Sequence, residues 1–205
     1  GGMGQQLGFE FGKVHWKFRY THGGILRQKR LGRGARPLSS RDPIHLVLKA
    51  DRLGMRRGFR SPLAFSICER VLKRYSKKFF VKIEQKAICG DHIHLLIRIS
   101  KRSLAQHFLR VVAGQIAQEF GKNNLLVTDT PHPTKGSRQV PTKTGGRKTK
   151  LWKFRPFTRV VKGWKAYLTV RNYIRLNEKE EKGEIKYSKQ RLRGLSTADW
   201  QVLWS

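Results

Sequence analysis

Acidic residues are scarce in this sequence. The 205-residue chain holds 13 Asp and Glu against 45 Lys and Arg, which gives a formal net charge of +32 at pH 7. A surface of this charge attracts polyanions, because the polyanion releases its counterions when the protein binds. Nucleic acid is therefore the leading partner that the composition predicts.

Long apolar runs are also missing. No stretch approaches the length that crosses a bilayer, and no predicted helix joins a Leu/Trp face to a basic face. These absences argue against a membrane as the partner. The hydrophobic fraction of 38% still suffices for one core, so we expect a single domain with basic extensions.

Cysteine occurs only at Cys68 and Cys89, which show no Cys-x-x-Cys spacing. This spacing argues against a disulfide framework and against a cysteine-based zinc motif. We expect both thiols to be small core side chains in a reducing, intracellular setting.

Hydrophobic periodicity predicts the order strand, helix, strand, strand, helix, strand, helix. The first six elements follow the split βαβ order of a ferredoxin-like fold. We therefore expect an α+β protein whose antiparallel sheet carries helices on one face, with one more helix after the last strand. The predicted strands span residues 43–50, 79–89, 92–100 and 151–161, and the predicted helices begin at Ser61–Pro62, Ser103 and Gly163.

This pattern divides the chain into a basic N-terminal arm at residues 1–41, a central domain at 42–182 and a C-terminal tail at 183–205. The arm is broken by glycine and is basic throughout its second half. We interpret it either as an arm that orders on a polyanion or as a disordered tail. Arg33 and Arg36 are its candidates for entering a groove of bound DNA.

The stretch GDHIHLLIRIS, residues 90–100, places two histidines one residue apart in a predicted strand. Strand alternation directs Ile93 and Leu95 toward the helices, whereas His92 and His94 lie on the opposite face. Residues at i and i+2 are about 7 Å apart along a strand, so one metal ion can contact both imidazoles. Two histidines that bind nothing remain the alternative.

The predicted third helix contains VRNYIRLNEKE, in which Tyr173 and Asn177 are four residues apart. This spacing places the phenol and the carboxamide on one helical face, one turn apart. If the helix lies across the open face of the sheet, both groups would reach the histidine pair.

Together, GDHIHLL and YIRLN resemble the HUH single-tyrosine transposases and, within them, the REP-associated tyrosine transposases. The resemblance covers residues 43–182. In that branch the tyrosine helix commonly continues Tyr-x-x-x-Asn-Pro, whereas Glu178 and Lys179 follow Asn177 here. This departure leaves open a domesticated protein with an altered substrate or without cleavage.

The resemblance implies that His92, His94 and Asn177 bind one divalent ion, Mg²⁺ or Mn²⁺, and that Tyr173 is the catalytic nucleophile. It implies an endonuclease and strand transferase that cuts single-stranded DNA beside a palindromic hairpin through a 5′-phosphotyrosine. It also implies a monomer or homodimer in the bacterial cytoplasm, associated with the nucleoid.

Between Thr130 and Asn177 the chain has no acidic residue. Basic residues alternate with aromatic rings around the fourth predicted strand, a combination typical of single-strand binding. The rings could equally face the core while the basic side chains face solvent. The candidates for nucleic-acid contact there are Lys148, Lys150, Trp152, Lys153, Arg155 and Arg159.

Two other functions remain open. One is a non-catalytic single-stranded DNA- or RNA-binding protein on an RRM-like sheet, although HIHLLIRIS has histidines where such modules carry stacking rings. The other is a metallophosphoesterase that uses an ion and water without a protein nucleophile.

Overall fold

The computed structural model describes residues 20–27, 36–127 and 150–205. Arg33 and Lys148, both candidates for nucleic-acid contact, lie outside these ranges. All structural statements below concern the described residues.

The described residues form one antiparallel sheet of five strands in the order β1-β5-β2-β4-β3. The last four strands in this order reproduce the ferredoxin-like arrangement, so the predicted α+β fold is confirmed. The strands are β1 (Thr21–His22), β2 (Ile44–Lys49), β3 (Val81–Ile88), β4 (His92–Ile99) and β5 (Phe157–Val160).

Four α-helices occur in the described ranges: α1 (Pro62–Lys78), α2 (Arg102–Lys122), α3 (Trp164–Glu181) and α4 (Thr197–Trp204). Ser61 and Pro62 open α1 as predicted, because proline suits the first turn of a helix. The predicted cap of α2 was wrong, since Lys101 and not Ser103 precedes its first residue. No proline follows Asn177, and α3 continues for one more turn to Glu181.

One face of the sheet carries α1 and α2 over the main hydrophobic core. Ile93 and Leu95 of β4 are fully buried there, together with Ile44 and Leu46 of β2. These residues alternate along their strands, as the sequence pattern predicts. The alternate positions of β2 and β4 therefore point to the other face.

Helix α3 covers part of that other face. Leu96 of β4 is fully buried against Val170 and Ile174 of α3, in a second hydrophobic cluster that also contains Cys89. The tail packs on the far side of the same helix, where Ile185 and Leu203 form a small cluster with Leu176. Helix α3 is thus held between the sheet and the tail.

The fourth predicted strand is shorter than expected. Periodicity predicts residues 151–161, but regular pairing covers Phe157–Val160, because Pro156 lacks the N–H that a ladder needs. Trp152 forms an isolated bridge with Ala50. Strand β5 lies inside the sheet, because β1 pairs with its outer side and forms the edge there.

Strand β1 lies in a range where the sequence shows no sustained periodicity. Thr21 pairs with Arg159 and His22 pairs with Thr158. Arg36 holds the same region, because its Nη1 donates to the carbonyl of Pro156 at 2.8 Å and to Thr158 Oγ1 at 2.8 Å. Part of the predicted arm therefore belongs to the sheet, and the guanidinium of Arg36 is engaged within the fold.

We expect the substitution Gly23→Ala to detach β1 from β5. Gly23 has φ +84°, and a Cβ there would lie 2.1 Å from the carbonyl oxygen of Pro156. The Val160 amide donates to Tyr20 O at 2.9 Å. The exchange rate of the Val160 amide hydrogen should rise about 30-fold. This factor corresponds to a loss of about 2 kcal/mol in the free energy of local opening.

Gly114→Ala in α2 is the matched control, because a Cβ there meets nothing within 4 Å. It should leave the exchange rate of the Val160 amide unchanged. An unchanged rate in the Gly23 variant would contradict the observed pairing of β1.

Candidate functional site

A tight hairpin places the histidine pair. Gly90 and Asp91 connect β3 to β4, and the Cys89 amide donates to the carbonyl of His92 at 2.8 Å. His92 and His94 then follow on the face that α3 covers, with ring centroids 4.7 Å apart and planes at 89°. The alternation predicted from the sequence is present, and the two imidazoles lie side by side.

Each imidazole has a neighbour on Nδ1. His92 Nδ1 lies 2.7 Å from Asp91 Oδ1, and the pKa of that carboxyl is lowered mainly by this hydrogen bond. An ionised carboxylate accepts, so His92 Nδ1 donates and Nε2 is the ring nitrogen that this bond does not use. His94 Nδ1 lies 3.1 Å from Nε2 of His45, and His94 Nε2 has no hydrogen-bond partner among the described residues.

Burial keeps two of these histidines neutral. Desolvation lowers the pKa of His45 to about 3, with a smaller effect from Arg159. It also lowers the pKa of His94 well below its usual range, and the nearby His92 adds to this effect. A neutral imidazole is the form that binds a metal.

Tyr173 of α3 reaches the histidine pair. Its ring centroid lies 5.6 Å from that of His94, with the planes at 86°. Burial raises the pKa of the Tyr173 phenol, whereas the guanidinium of Arg191, 5.2 Å from the ring centroid, opposes that rise. The structure therefore brings together the tyrosine and the histidines within one chain.

Asn177 lies one turn after Tyr173, but its carboxamide is engaged in other bonds. Nδ2 donates to the backbone carbonyl of Tyr173 at 2.7 Å, and Oδ1 accepts from Arg191 Nη2 at 2.9 Å. The oxygen that the resemblance assigns to a metal is therefore already hydrogen bonded to the guanidinium of Arg191. A cation bound to this oxygen would lie next to that guanidinium, and the repulsion between the two positive charges would weaken its binding.

Arg191 is a central residue of the site that the sequence did not indicate. Its Nη1 donates to both carboxylate oxygens of Glu180, at 2.8 and 2.7 Å. Its backbone has φ +54°, a strained conformation for a residue other than glycine. It lies in the tail, outside every motif that the sequence indicates, so only the packing of the tail on α3 reveals it.

Cys89 is a second residue that the sequence interpretation missed. One donor atom each from Cys89, His92 and His94 lie within 4.8 Å of one another. Cys89 is buried, and burial raises the pKa of its thiol to about 12. The sequence feature that could have indicated Cys89 is the hairpin. A two-residue turn at Gly90–Asp91 places Cys89 opposite His92 on the same face of the sheet.

These donors fit a divalent metal ion. His94 Nε2 is a buried nitrogen without a partner among the described residues, and the bond of His92 to Asp91 uses Nδ1 and not Nε2. The second nitrogen of each ring is held by a neighbouring side chain, as is usual for histidines that bind metals. The residues present therefore suit a divalent metal ion.

The basic segment before β5 lies next to the histidine pair. The Lys153 amide donates to the carbonyl of Lys49 at 3.0 Å, and Lys49 pairs with His92. Lys150, Lys153 and Arg155 are exposed. This segment therefore offers positive charge at one end of the site.

Trp152 differs from these three basic residues, because its side chain is half-buried. Its Nε1 donates to the carbonyl of Ala113 at 2.8 Å, and its ring lies 5.8 Å from that of Phe59 in the main core. The ring is therefore not offered to a nucleic-acid base. Of the two interpretations left open by the sequence, packing against the core is the one observed.

A basic cavity of about 360 Å³ opens at the start of α3. Arg159, Lys162 and Lys165 line it. The ring of Trp164, 69% exposed, lies at the same end of the helix. A flat exposed ring beside clustered cations is the combination that binds single-stranded nucleic acid.

The fold and the site together define an α+β protein with a candidate tyrosine and metal centre under the helix that follows the sheet. Among solved structures, the chain is similar to a REP-associated tyrosine transposase bound to a REP hairpin. The TM-score is 0.51 at 12% sequence identity, over 76% of this chain and 77% of that one. At this identity the likeness shows the fold alone.

No family model matches the chain, and no curated protein matches its sequence. Within residues 20–27, 36–127 and 150–205, no helix is both long enough and apolar enough to span a membrane.

We expect the metal-free protein to lose stability as the pH falls below about 6.5, where unfolded imidazoles take up protons. Folded His45 and His94 stay neutral there, because burial lowers both pKa values. The free energy of unfolding should drop by up to about 1.4 kcal/mol per pH unit for each of them. Urea unfolding with a chelator present, between about pH 7 and pH 5, measures this slope.

His45→Gln should remove the contribution of one imidazole from this pH dependence, up to about 1.4 kcal/mol per pH unit in the free energy of unfolding. His107→Gln is the control, because the side chain of His107 is exposed on α2. A stability that does not change with pH over this range would contradict neutral buried imidazoles.

Proposed function

We propose that this protein is a metal-dependent endonuclease and strand transferase of the HUH single-tyrosine kind, with single-stranded DNA as its substrate. The observation that carries the proposal is the contact between Tyr173 and His94, whose ring centroids are 5.6 Å apart. A tyrosine nucleophile next to a pair of histidines is the arrangement that the resemblance implies. Such an activity belongs in the bacterial cytoplasm, at the nucleoid.

The reaction proposed for Tyr173 is a transesterification. Its phenolic oxygen bonds to a backbone phosphorus, the bond from phosphorus to the 3′ oxygen breaks, and the phenol proton passes through solvent to that leaving oxygen. The products are a 5′-phosphotyrosine and a free 3′-hydroxyl. The energy of the phosphodiester stays in the new ester, so strand transfer needs no ATP.

The histidines have the role of holding a divalent ion, Mg²⁺ or Mn²⁺ by the resemblance, which would polarise the scissile phosphate as a Lewis acid when bound. His92 and His94 each offer Nε2. Asn177 is the third ligand that the resemblance implies, and its use would place the ion next to the guanidinium of Arg191 on Oδ1.

The proposed substrate is DNA with a hairpin beside the cleaved strand, in line with the hairpin bound to the solved relative. The cavity at Arg159, Lys162 and Lys165 and the exposed ring of Trp164 lie at the start of the helix that carries Tyr173. A strand that crosses this surface would enter the site along α3. Tyr173 lies against His94 within one chain, which supports a site formed by a single copy, in a monomer or in each half of a homodimer.

The RRM-like alternative finds little support in this arrangement. Such modules stack bases on an open sheet face. Here α3 lies on that face, where Leu96 is fully buried against Val170 and Ile174. We therefore favour catalysis over passive binding.

We expect the protein with Mn²⁺ and hairpin-bearing single-stranded DNA to form a covalent adduct that survives a denaturing gel. Tyr173→Phe should abolish the adduct and leave DNA binding within about twofold, because it removes only the attacking oxygen. Tyr167→Phe is the matched control, since Tyr167 lies on the same helix against the ring of Trp164.

Tyr167→Phe should form the adduct at the wild-type level. Cleavage without an adduct would favour a metallophosphoesterase that uses water. Binding without cleavage, strongest for RNA, would favour the non-catalytic alternative.

We also expect DNA affinity to fall steeply with salt, because the exposed cations displace counterions from phosphates. Replacing Lys150, Lys153 and Arg155 together by Gln should reduce the slope of log affinity against log salt by about 2, at about 0.7 for each contact with a single strand. Fluorescence anisotropy over a salt series measures the slope.

The control for this prediction carries the same charge change on α1, which packs on the opposite face of the sheet. Lys73, Lys77 and Lys78 are exposed there. Their joint replacement by Gln should leave the slope nearly unchanged. Equal effects of the two triple variants would refute a directed DNA surface near the histidine pair.

A further inference from the structure

We propose that Cys89 is the third protein ligand of the metal site, and that the site therefore takes a zinc-class ion, Zn²⁺ or Co²⁺, in preference to Mg²⁺ or Mn²⁺. This inference rests on the proposed function for the use of the ion. It differs from the resemblance in the ligand set, because a sulfur replaces the carboxamide oxygen of Asn177.

The hairpin brings the three donors together. Cys89 lies directly opposite His92 across the two-residue turn, and Ala87, two residues earlier, pairs with His94. The three donor atoms lie within 4.8 Å of one another. A tetrahedral zinc site with two nitrogens and one sulfur separates its ligand atoms by about 3.5 Å, so shifts of about 1 Å complete it.

His94 supplies an independent observation. Its side chain is 2% exposed, and its Nε2 has no hydrogen-bond partner among the described residues. A buried polar atom without a partner carries a free-energy cost that a metal ion would remove. The ring cannot turn away to find water, because His45 holds Nδ1 at 3.1 Å.

The types of donor atom favour a zinc-class ion over a hard ion such as Mg²⁺. Mg²⁺ prefers several oxygen ligands, whereas this cluster contains two imidazoles and a thiol. The nearest carboxylate, Asp91, is bonded to His92 Nδ1. A thiolate would bring the negative charge that the imidazoles lack, and thiolate with imidazole selects zinc-class ions.

Asn177 is the rival third ligand, and its geometry is less favourable. Its Oδ1 accepts from Arg191 Nη2 at 2.9 Å, and Arg191 is in turn held by both oxygens of Glu180. Binding through Oδ1 would place the ion next to this guanidinium. Binding through Cys89 leaves the network intact.

The test is a titration of the purified, metal-free full chain with Co²⁺, followed by absorption spectroscopy. A thiolate ligand produces an intense sulfur-to-cobalt charge-transfer band, which nitrogen and oxygen ligands do not produce. We expect this band in the wild type, and we expect Zn²⁺ to abolish it by displacing Co²⁺. A large excess of Mg²⁺ should leave it unchanged.

Cys89→Ala should lose the band and weaken Zn²⁺ binding about 100-fold, whereas Asn177→Ala should keep the band. Cys68→Ala is the matched control, because Cys68 is a buried thiol in the main core. Cys89→Ser keeps the size of the side chain and should bind Co²⁺ without the band. Circular dichroism confirms that each variant is folded.

Three outcomes would overturn the inference: no Co²⁺ binding by the wild type, binding without the band, or a band that survives Cys89→Ala. The experiment needs no DNA, so it separates the inference from the proposed function. A Tyr173 adduct formed with Mn²⁺ by a protein without the band would refute the Cys89 ligand alone. A band without any adduct would refute the transferase alone.

Discussion

The packing of α3 against the β3–β4 face is the contact on which the candidate site depends. Leu96 is fully buried in one cluster with Val170 and Ile174, and this apolar contact fixes the helix over the strand that carries the histidines. The same turn of α3 brings Tyr173 to His94. The same face buries His94, so this hydrophobic interface contributes to both the position of His94 and its neutral state.

The electrostatics of the site follow from this burial. The chain is strongly basic, yet His45 and His94 are neutral because burial lowers the pKa of both imidazoles. Arg191 is the charged group that does enter, and Glu180 compensates it through two hydrogen bonds. The result is a polar site in which His94 Nε2 is available to a cation, on a protein whose positive surface attracts phosphates.

Much of the architecture follows from local periodicity. Strand alternation assigns Ile93 and Leu95 to the core and His92 and His94 to the opposite face, and the structure agrees. Helical spacing places Asn177 one turn after Tyr173, where the two are hydrogen bonded. These patterns are readable because a strand repeats every two residues and a helix repeats about every 3.6 residues, whatever the rest of the chain does.

The sequence by itself determined the order of the elements from β2 to α3, the positive charge and the faces on which the histidines and the tyrosine lie. The tertiary structure alone decided which partners they meet. Arg191 reaches Asn177 from the tail, and the Trp152 ring bonds to the carbonyl of Ala113 in α2. Both contacts join residues from separate elements, and no local repeat encodes them, because they depend on how whole elements pack.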